Sequence, residues 1–224
     1  MLAGLISLLV LLVTVAHANT EKVIFLAPPA TVFPDSGPSL DNLNLHSITF
    51  QQSSLRTFLP VAFPNEETNG LSSWYLLPHL NAGQRYEVRI CWAAVQPTSF
   101  IVDVHNLTHV FDTPDLIQSL AAFSEQQRQQ PSIESSDSNL SAQQSILFLR
   151  IQAAADFFTT NKTLMSDPPA VHVDIILDPY LGNVFPRSLL PTGIYITILA
   201  IGGWILSGKI WTTLFAPFTK ERTA

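Results

Sequence analysis

Residues Leu189 to Gly208, LLPTGIYITILAIGGWILSG, run for 20 positions without a charged side chain and stop at Lys209. At about 1.5 Å of rise per residue, a helix of this length covers the roughly 30 Å hydrocarbon core of a bilayer. Gly193, Gly202 and Gly203 weaken helix propensity in water, but lipid offers the backbone no hydrogen-bond partner other than itself. The competing reading, a buried helix of a soluble core, usually needs a shorter run. The stretch 189–208 is expected to span a membrane.

Charge orients it. Lys209, Lys220 and Arg222 stand against a single acid, Glu221, on the C-terminal side, so residues 209–224 are expected to form a cytosolic tail. The amino terminus agrees. Residues 1–18 hold an apolar run from Leu5 to Val15 followed by Ala16-His17-Ala18, a small-x-small cleavage pattern, although the amino group is their only positive charge. They read as a signal peptide, the alternative being an uncleaved signal anchor. A single-pass type I protein with a lumenal domain over 19–188 follows. That domain carries 8 basic and 16 acidic side chains. An acidic surface argues against nucleic acid, which requires a basic face. Roughly 170 residues suffice for one domain with its own core. Cys91 is the only cysteine, which excludes a disulfide-stapled module, and within RYEVRICWAAV it reads as a small packed hydrophobe.

Along 19–188 the chain is punctuated by proline. Lys22 to Leu26 is a short β-branched and aromatic run, and Pro28, Pro29, Pro34 and Pro38 predict an extended loop after it. Ser47 to Phe50, Thr57 to Phe63 and Leu71 to Leu77 are strand-like, with Pro60 marking an edge or bulge and Pro78 an end. The clearest strand is Arg85 to Val95. Tyr86, Val88, Ile90 and Trp92 alternate with Arg85, Glu87, Arg89 and Cys91, a period of two that no helix produces. Ser99 to His105 follows Pro97 as its expected hairpin partner. Pro114 to Phe123 predicts a helix, with Asp112 or Thr113 as N-cap and Leu116, Leu120 and Phe123 as its apolar stripe. Residues 124–144, rich in Gln and Ser, are expected to be disordered. Ile146 to Ala153 and Ala170 to Leu177 complete the strands, the first also compatible with a helix running through AAADFF. Seven or eight short strands with one helix predict a mainly β fold: an antiparallel β-sandwich-like lumenal domain plus the C-terminal transmembrane helix.

Few residues invite chemistry. Asn106, Asn139 and Asn161 head N-x-S/T sequons, with Asn139 in the polar stretch the best acceptor. His105 and His109 are spaced as a helical metal pair but fall at a strand end without a third ligand. Asp103 and Asp174 read as solvated sheet positions. G-x-S-x-G, H-E-x-x-H and P-loop patterns are absent, so no catalytic residue, metal site or cofactor is assigned. Lys220 and Arg222 near the C-terminus approximate a K-x-K-x-x retrieval signal, the plainer reading being positive-inside charge.

Residues Tyr86 to Phe100, YEVRICWAAVQPTSF, together with the early VIFLAPP, resemble the fungal co-activator subunit of GPI mannosyltransferase II. Tyr86, Arg89, Cys91, Trp92, Pro97 and Phe100 carry the resemblance, as structural residues or as partner contacts. It implies a non-catalytic endoplasmic-reticulum subunit that stabilises or activates a multi-span mannosyltransferase adding the second mannose to the GPI precursor. No small-molecule substrate of its own and no cofactor come with it. A stabilising subunit of GPI mannosyltransferase I has similar topology and is the main alternative. A type I cargo or lectin-like receptor is a third, though neither heptads nor disulfides support it.

Overall fold

The computed structural model describes residues 19–32, 40–66, 68–129 and 143–220. Segment 1–18, expected from sequence to be a signal peptide, and Asn139 and Arg222 lie outside them. In chain order the strands are β1 (Thr20–Leu26), β2 (Thr31–Val32), β3 (Ser54–Leu59), β4 (Leu71–Leu80), β5 (Arg85–Trp92), β6 (Thr98–Asn106), β7 (Gln143–Ala155), β8 (Val171–Leu181) and β9 (Phe185–Pro186). The helices are α1 (Leu107–Asp112), α2 (Pro114–Gln129), α3 (Lys162–Ser166) and α4 (Leu190–Lys220). The chain divides into two compact units, with the boundary between Pro179 and Tyr180.

In the first unit all strand pairs are antiparallel. One sheet has the order β1-β5-β8-β3. In the other, β7 is central between β4 and β6, and β2 joins its first two residues. Val88, Ile90 and Ile175 of the first sheet pack in one core with Leu77, Leu149 and Ile151 of the second, all essentially inaccessible. This is the β-sandwich the alternating strands predicted. Proteins of this kind usually leave the outer faces to solvent. Here the outer face of the β7 sheet is instead covered by α1 and α2. Trp74, Leu76, Ile146 and Phe148 point out of that sheet into a second core with Val110, Leu116, Leu120 and Phe123.

Double coverage resolves the ambiguity of residues 146–153. A strand buried on both faces reads as a continuous apolar run and shows no alternation. Leu147, Leu149 and Ile151 face the sandwich core while Ile146 and Phe148 face the helices, so β7 is a strand throughout and the helix alternative falls.

Four further expectations need correction. Ser99 to His105 does form β6, but as a partner of β7 rather than of β5, because β1 and β8 occupy both edges of β5. The chain switches sheets through the Ala93–Gln96 turn, closed by the Gln96 N–H donating to the Ala93 carbonyl at 3.0 Å. Ser124 to Gln129 are not irregular: α2 continues through them, and β7 begins at Gln143. Of Ser47 to Phe50, only Ser47 bridges a strand, alongside Leu76. Finally, β3 stops at Leu59 before Pro60, whereas β4 passes through Pro78 by an irregular register between Leu77 and Leu80, with His79 at φ 57°.

The second unit begins at Tyr180, with the last two residues of β8, turns back as β9, continues through a short 3-10 turn at Arg187–Leu189 and enters α4. One described helix is long and apolar enough to cross a membrane, over Arg187–Thr213, and none of its span is buried in the protein.

Candidate functional site

The segment Tyr86 to Phe100 divides between the two faces of its sheet, as strand alternation dictates. Its inward half is structural. Tyr86 is fully buried, stacks on Phe25 at a centroid distance of 5.9 Å, donates its hydroxyl to Gln84 Oε1 at 3.1 Å and accepts the Asn81 N–H at 3.0 Å. Trp92 meets Phe100 edge to face at 4.7 Å, joining two strands of different sheets. The Pro97 carbonyl accepts the Asp156 N–H at 3.1 Å, pinning the crossover. Pro97 also borders an apolar pocket of about 290 Å³ with Val61, Val95, Phe157, Leu164 and Val171. The pocket's only hydroxyl, on Thr98, donates to the Gln96 carbonyl at 3.1 Å, and no acid, base or thiol lines it.

The outward half is ionic. Glu87 and Asp178 are cross-strand neighbours, both buried despite their charge. Like charges directly opposite repel, and Arg89 answers this by reaching both, with Nη1 at 3.8 Å from Glu87 and Nη2 at 3.8 Å from Asp178. Lys22 on the neighbouring β1 approaches Glu87 at 3.5 Å. One row along, Cys91 lies beside Asp174 in register, and the Thr20 hydroxyl points at its sulfur from 3.7 Å. Asp174 takes a bidentate pair from Arg56, Nε to Oδ1 at 2.7 Å and Nη2 to Oδ2 at 2.9 Å, and that hydrogen bonding holds its carboxyl below the usual carboxylate range. Around this row stand apolar side chains that a sheet face in water would not favour: Ile24, Leu26 and Phe58, the last 66% exposed with its ring against His172 at 4.9 Å. Mixed ion pairs and exposed large apolar groups on one face describe a surface suited to a protein partner.

The remaining candidates are dispersed. Asn106 ends β6 and Asn161 caps α3, its side chain accepting the Thr163 N–H at 3.0 Å; both are exposed. Lys220 ends α4. His105 and His109 do come together, rings 5.5 Å apart, with the His105 ring 6.1 Å from Trp74 and one cross-strand row along from the Asp103–Arg150 pair at 2.7 Å. Among the described residues no group of three or more His, Cys, Asp or Glu is placed to hold a metal ion. Burial, and then the Arg150 guanidinium, push the His105 imidazole below its usual pKa of 6.5 against the pull of Asp103, with His109 pushing the same way. The folded protein therefore resists protonation of His105 more than the unfolded chain does. Its contribution is fully present above pH 6.5 and is lost as pH falls through 6.5 toward the depressed folded value. Urea midpoints at about pH 7.5 and about pH 5.5 are expected to show this loss, and His105→Gln to shrink it.

Sequence reasoning passed over Arg56, Phe58 and Asp178. Their signal was available only as alternation in β3 and β8, and nothing local joins Arg56 to Asp174, 118 positions apart.

Comparison with known proteins places these features. The family model described as GPI-mannosyltransferase II co-activator matches residues 9–207. A GPI mannosyltransferase 2 subunit of Schizosaccharomyces pombe is 23% identical over 108 residues, covering 48% of this chain and 38% of that protein. The matched part is thus well under half the length of that relative. No solved structure matches. With a family model extending over nearly the whole chain and the Tyr86–Phe100 segment at the centre of its fold, this chain belongs to the GPI-mannosyltransferase II co-activator family.

Proposed function

We propose that this protein is a non-catalytic, single-pass subunit in the endoplasmic-reticulum membrane that stabilises or activates the mannosyltransferase adding the second mannose to the GPI precursor. The observation that carries this reading is the two-sidedness of the family segment. Tyr86, Trp92, Pro97 and Phe100 build the sandwich, while Arg89 and Cys91 lie on a face where ion pairs alternate with exposed Ile24, Leu26 and Phe58. Residues 19–188 lie in the lumen, and this face contacts the multi-span catalytic subunit. Residues 189–208 cross the membrane, where Gly202 and Gly203 permit close helix approach. The tail 209–224 is cytosolic, with Lys220 and Arg222 available for retrieval. Glycans at Asn106, Asn139 and Asn161 serve solubility, and no cofactor or substrate of its own is required.

Purification of the tagged protein in gentle detergent, with GPI-lipid analysis of depleted cells, tests the reading. One multi-span mannosyltransferase is expected to co-purify, and a one-mannose GPI lipid to accumulate. A lipid lacking its first mannose would move the assignment to mannosyltransferase I. Phe58→Asp combined with Arg56→Gln alters only exposed positions and sets no like charge opposite Asp174, and exposed ion pairs contribute little to stability. The double variant is expected to keep its circular dichroism and thermal midpoint while losing tenfold or more of the co-purified enzyme, roughly the effect of deleting an interfacial anchor. Undiminished recovery would remove this face from the interface.

A further inference from the structure

The hairpin before the apolar helix is built to meet a lipid surface. Gly182 and Asn183 both take positive φ, 58° and 60°, and the Val184 N–H donates to the Leu181 carbonyl at 3.2 Å, so the chain reverses tightly. Leu181 then pairs with Phe185 and Tyr180 with Pro186. Positive φ at two successive positions explains why Gly and Asn stand there. The outcome is a turn whose tip presents Leu181, Val184 and Phe185 outward, Val184 at 80% exposure, and Leu189, four residues further along the chain, is exposed too. An isolated soluble turn of this type usually carries polar residues at its tip.

Depth follows from one contact. A Cβ placed on Gly193 would lie 3.5 Å from Phe185 Cζ, so the Phe185 ring rests against the first turns of α4. Counting back 20 uncharged residues from Lys209 puts the lumenal edge of the apolar run at Leu189. Gly193 is four residues further in, about 6 Å along the axis. The ring therefore reaches below the start of the apolar run instead of standing clear of it. Non-helical backbone is not tolerated in bare hydrocarbon, but the turn closes on the Val184 N–H to Leu181 carbonyl bond, and the headgroup–acyl boundary, where water still reaches polar groups, admits such a segment. Exposed Arg187 stands beside the hairpin, long enough to hold its guanidinium at phosphate level.

We propose that the β8–β9 hairpin is an interfacial wedge that inserts Val184, Leu181 and Phe185 into the lumenal leaflet, fixing the depth and tilt of α4. The proposal rests on α4 being a membrane span, and the test separates the two. The full-length protein with Cys91→Ser is reconstituted in phosphatidylcholine nanodiscs and spin-labelled in turn at Val184→Cys, Ile198→Cys and Val95→Cys, the last an exposed position of the first unit. The Ile198 label is expected to collide with oxygen and exclude a nickel chelate, and the Val95 label to do the reverse. The Val184 label should show a chelate accessibility several-fold below that of Val95. A lipid-exposed Ile198 with a Val184 label as accessible as Val95 would overturn the wedge and leave the span standing. An accessible Ile198 label would overturn both. Shielding of Val184 only after the catalytic subunit is added would overturn the lipid assignment in favour of a protein contact.

Discussion

Trp74→Ala is expected to lower the unfolding free energy by about 3–5 kcal/mol, a central value for truncating a fully buried tryptophan. Trp74 has no accessible surface and sits where the helical layer meets the β7 sheet. Its ring packs edge to face on Phe148 at 6.2 Å, and its Nε1–H donates to Ser119 Oγ of α2 at 3.1 Å. Truncation leaves a large cavity and an unpaired serine between layers that, among the described residues, meet through side chains. Chemical denaturation of the purified protein, followed by far-ultraviolet circular dichroism, gives the midpoint. Trp74→Phe keeps most of the packing and loses the hydrogen bond, and should fall near one third of the alanine effect. Equal midpoints for the alanine variant and the parent would mean that α1 and α2 contribute nothing to stability.

Gly70→Ala should do comparable damage through the backbone. Gly70 precedes β4 at φ 95°, and a Cβ there would stand 2.1 Å from the Ala153 carbonyl oxygen and 2.7 Å from the Ala154 nitrogen. Neither atom is free to retreat, since Ala153 is paired with Leu71 on one side and Phe100 on the other. Strain in the left-handed region adds to the clash, for a total of about 3 kcal/mol or more. Gly83→Ala is the control: φ is 74°, but nothing lies within 4 Å of the added Cβ. It should cost only about 1 kcal/mol, the conformational part alone. Similar midpoints for the two variants would show that close approach to β7 is not what selects glycine at position 70.

Local pattern accounts for what could be read from the chain without its fold. β5 was legible because one of its faces is apolar and the other ionic, which prints alternation directly into Tyr86–Trp92. The helix at Pro114 was legible because its cap and stripe are local, although the apolar signal ended at Phe123 while the helix continued to Gln129. By contrast, β7 lost its alternation by being covered on both sides, and α1 was too short to carry a period. The candidate face was half legible. Alternation separated Arg89 and Cys91 from Tyr86 and Trp92, but nothing in either neighbourhood indicated that Arg56 and Phe58 would share their side of the sheet.

The sequence by itself determined the long apolar helix, the mainly β character of the rest and the family segment. Each depends on composition or spacing within about twenty residues, and the physics involved, burial of apolar groups and pairing of backbone groups, acts at that range. Only the tertiary structure decided which strands pair, that β6 leaves β5 for β7, and that Glu87, Arg89 and Asp178 meet. Strand partners are chosen by the summed burial of both faces and by closing loops of very different lengths, quantities set by the whole chain at once.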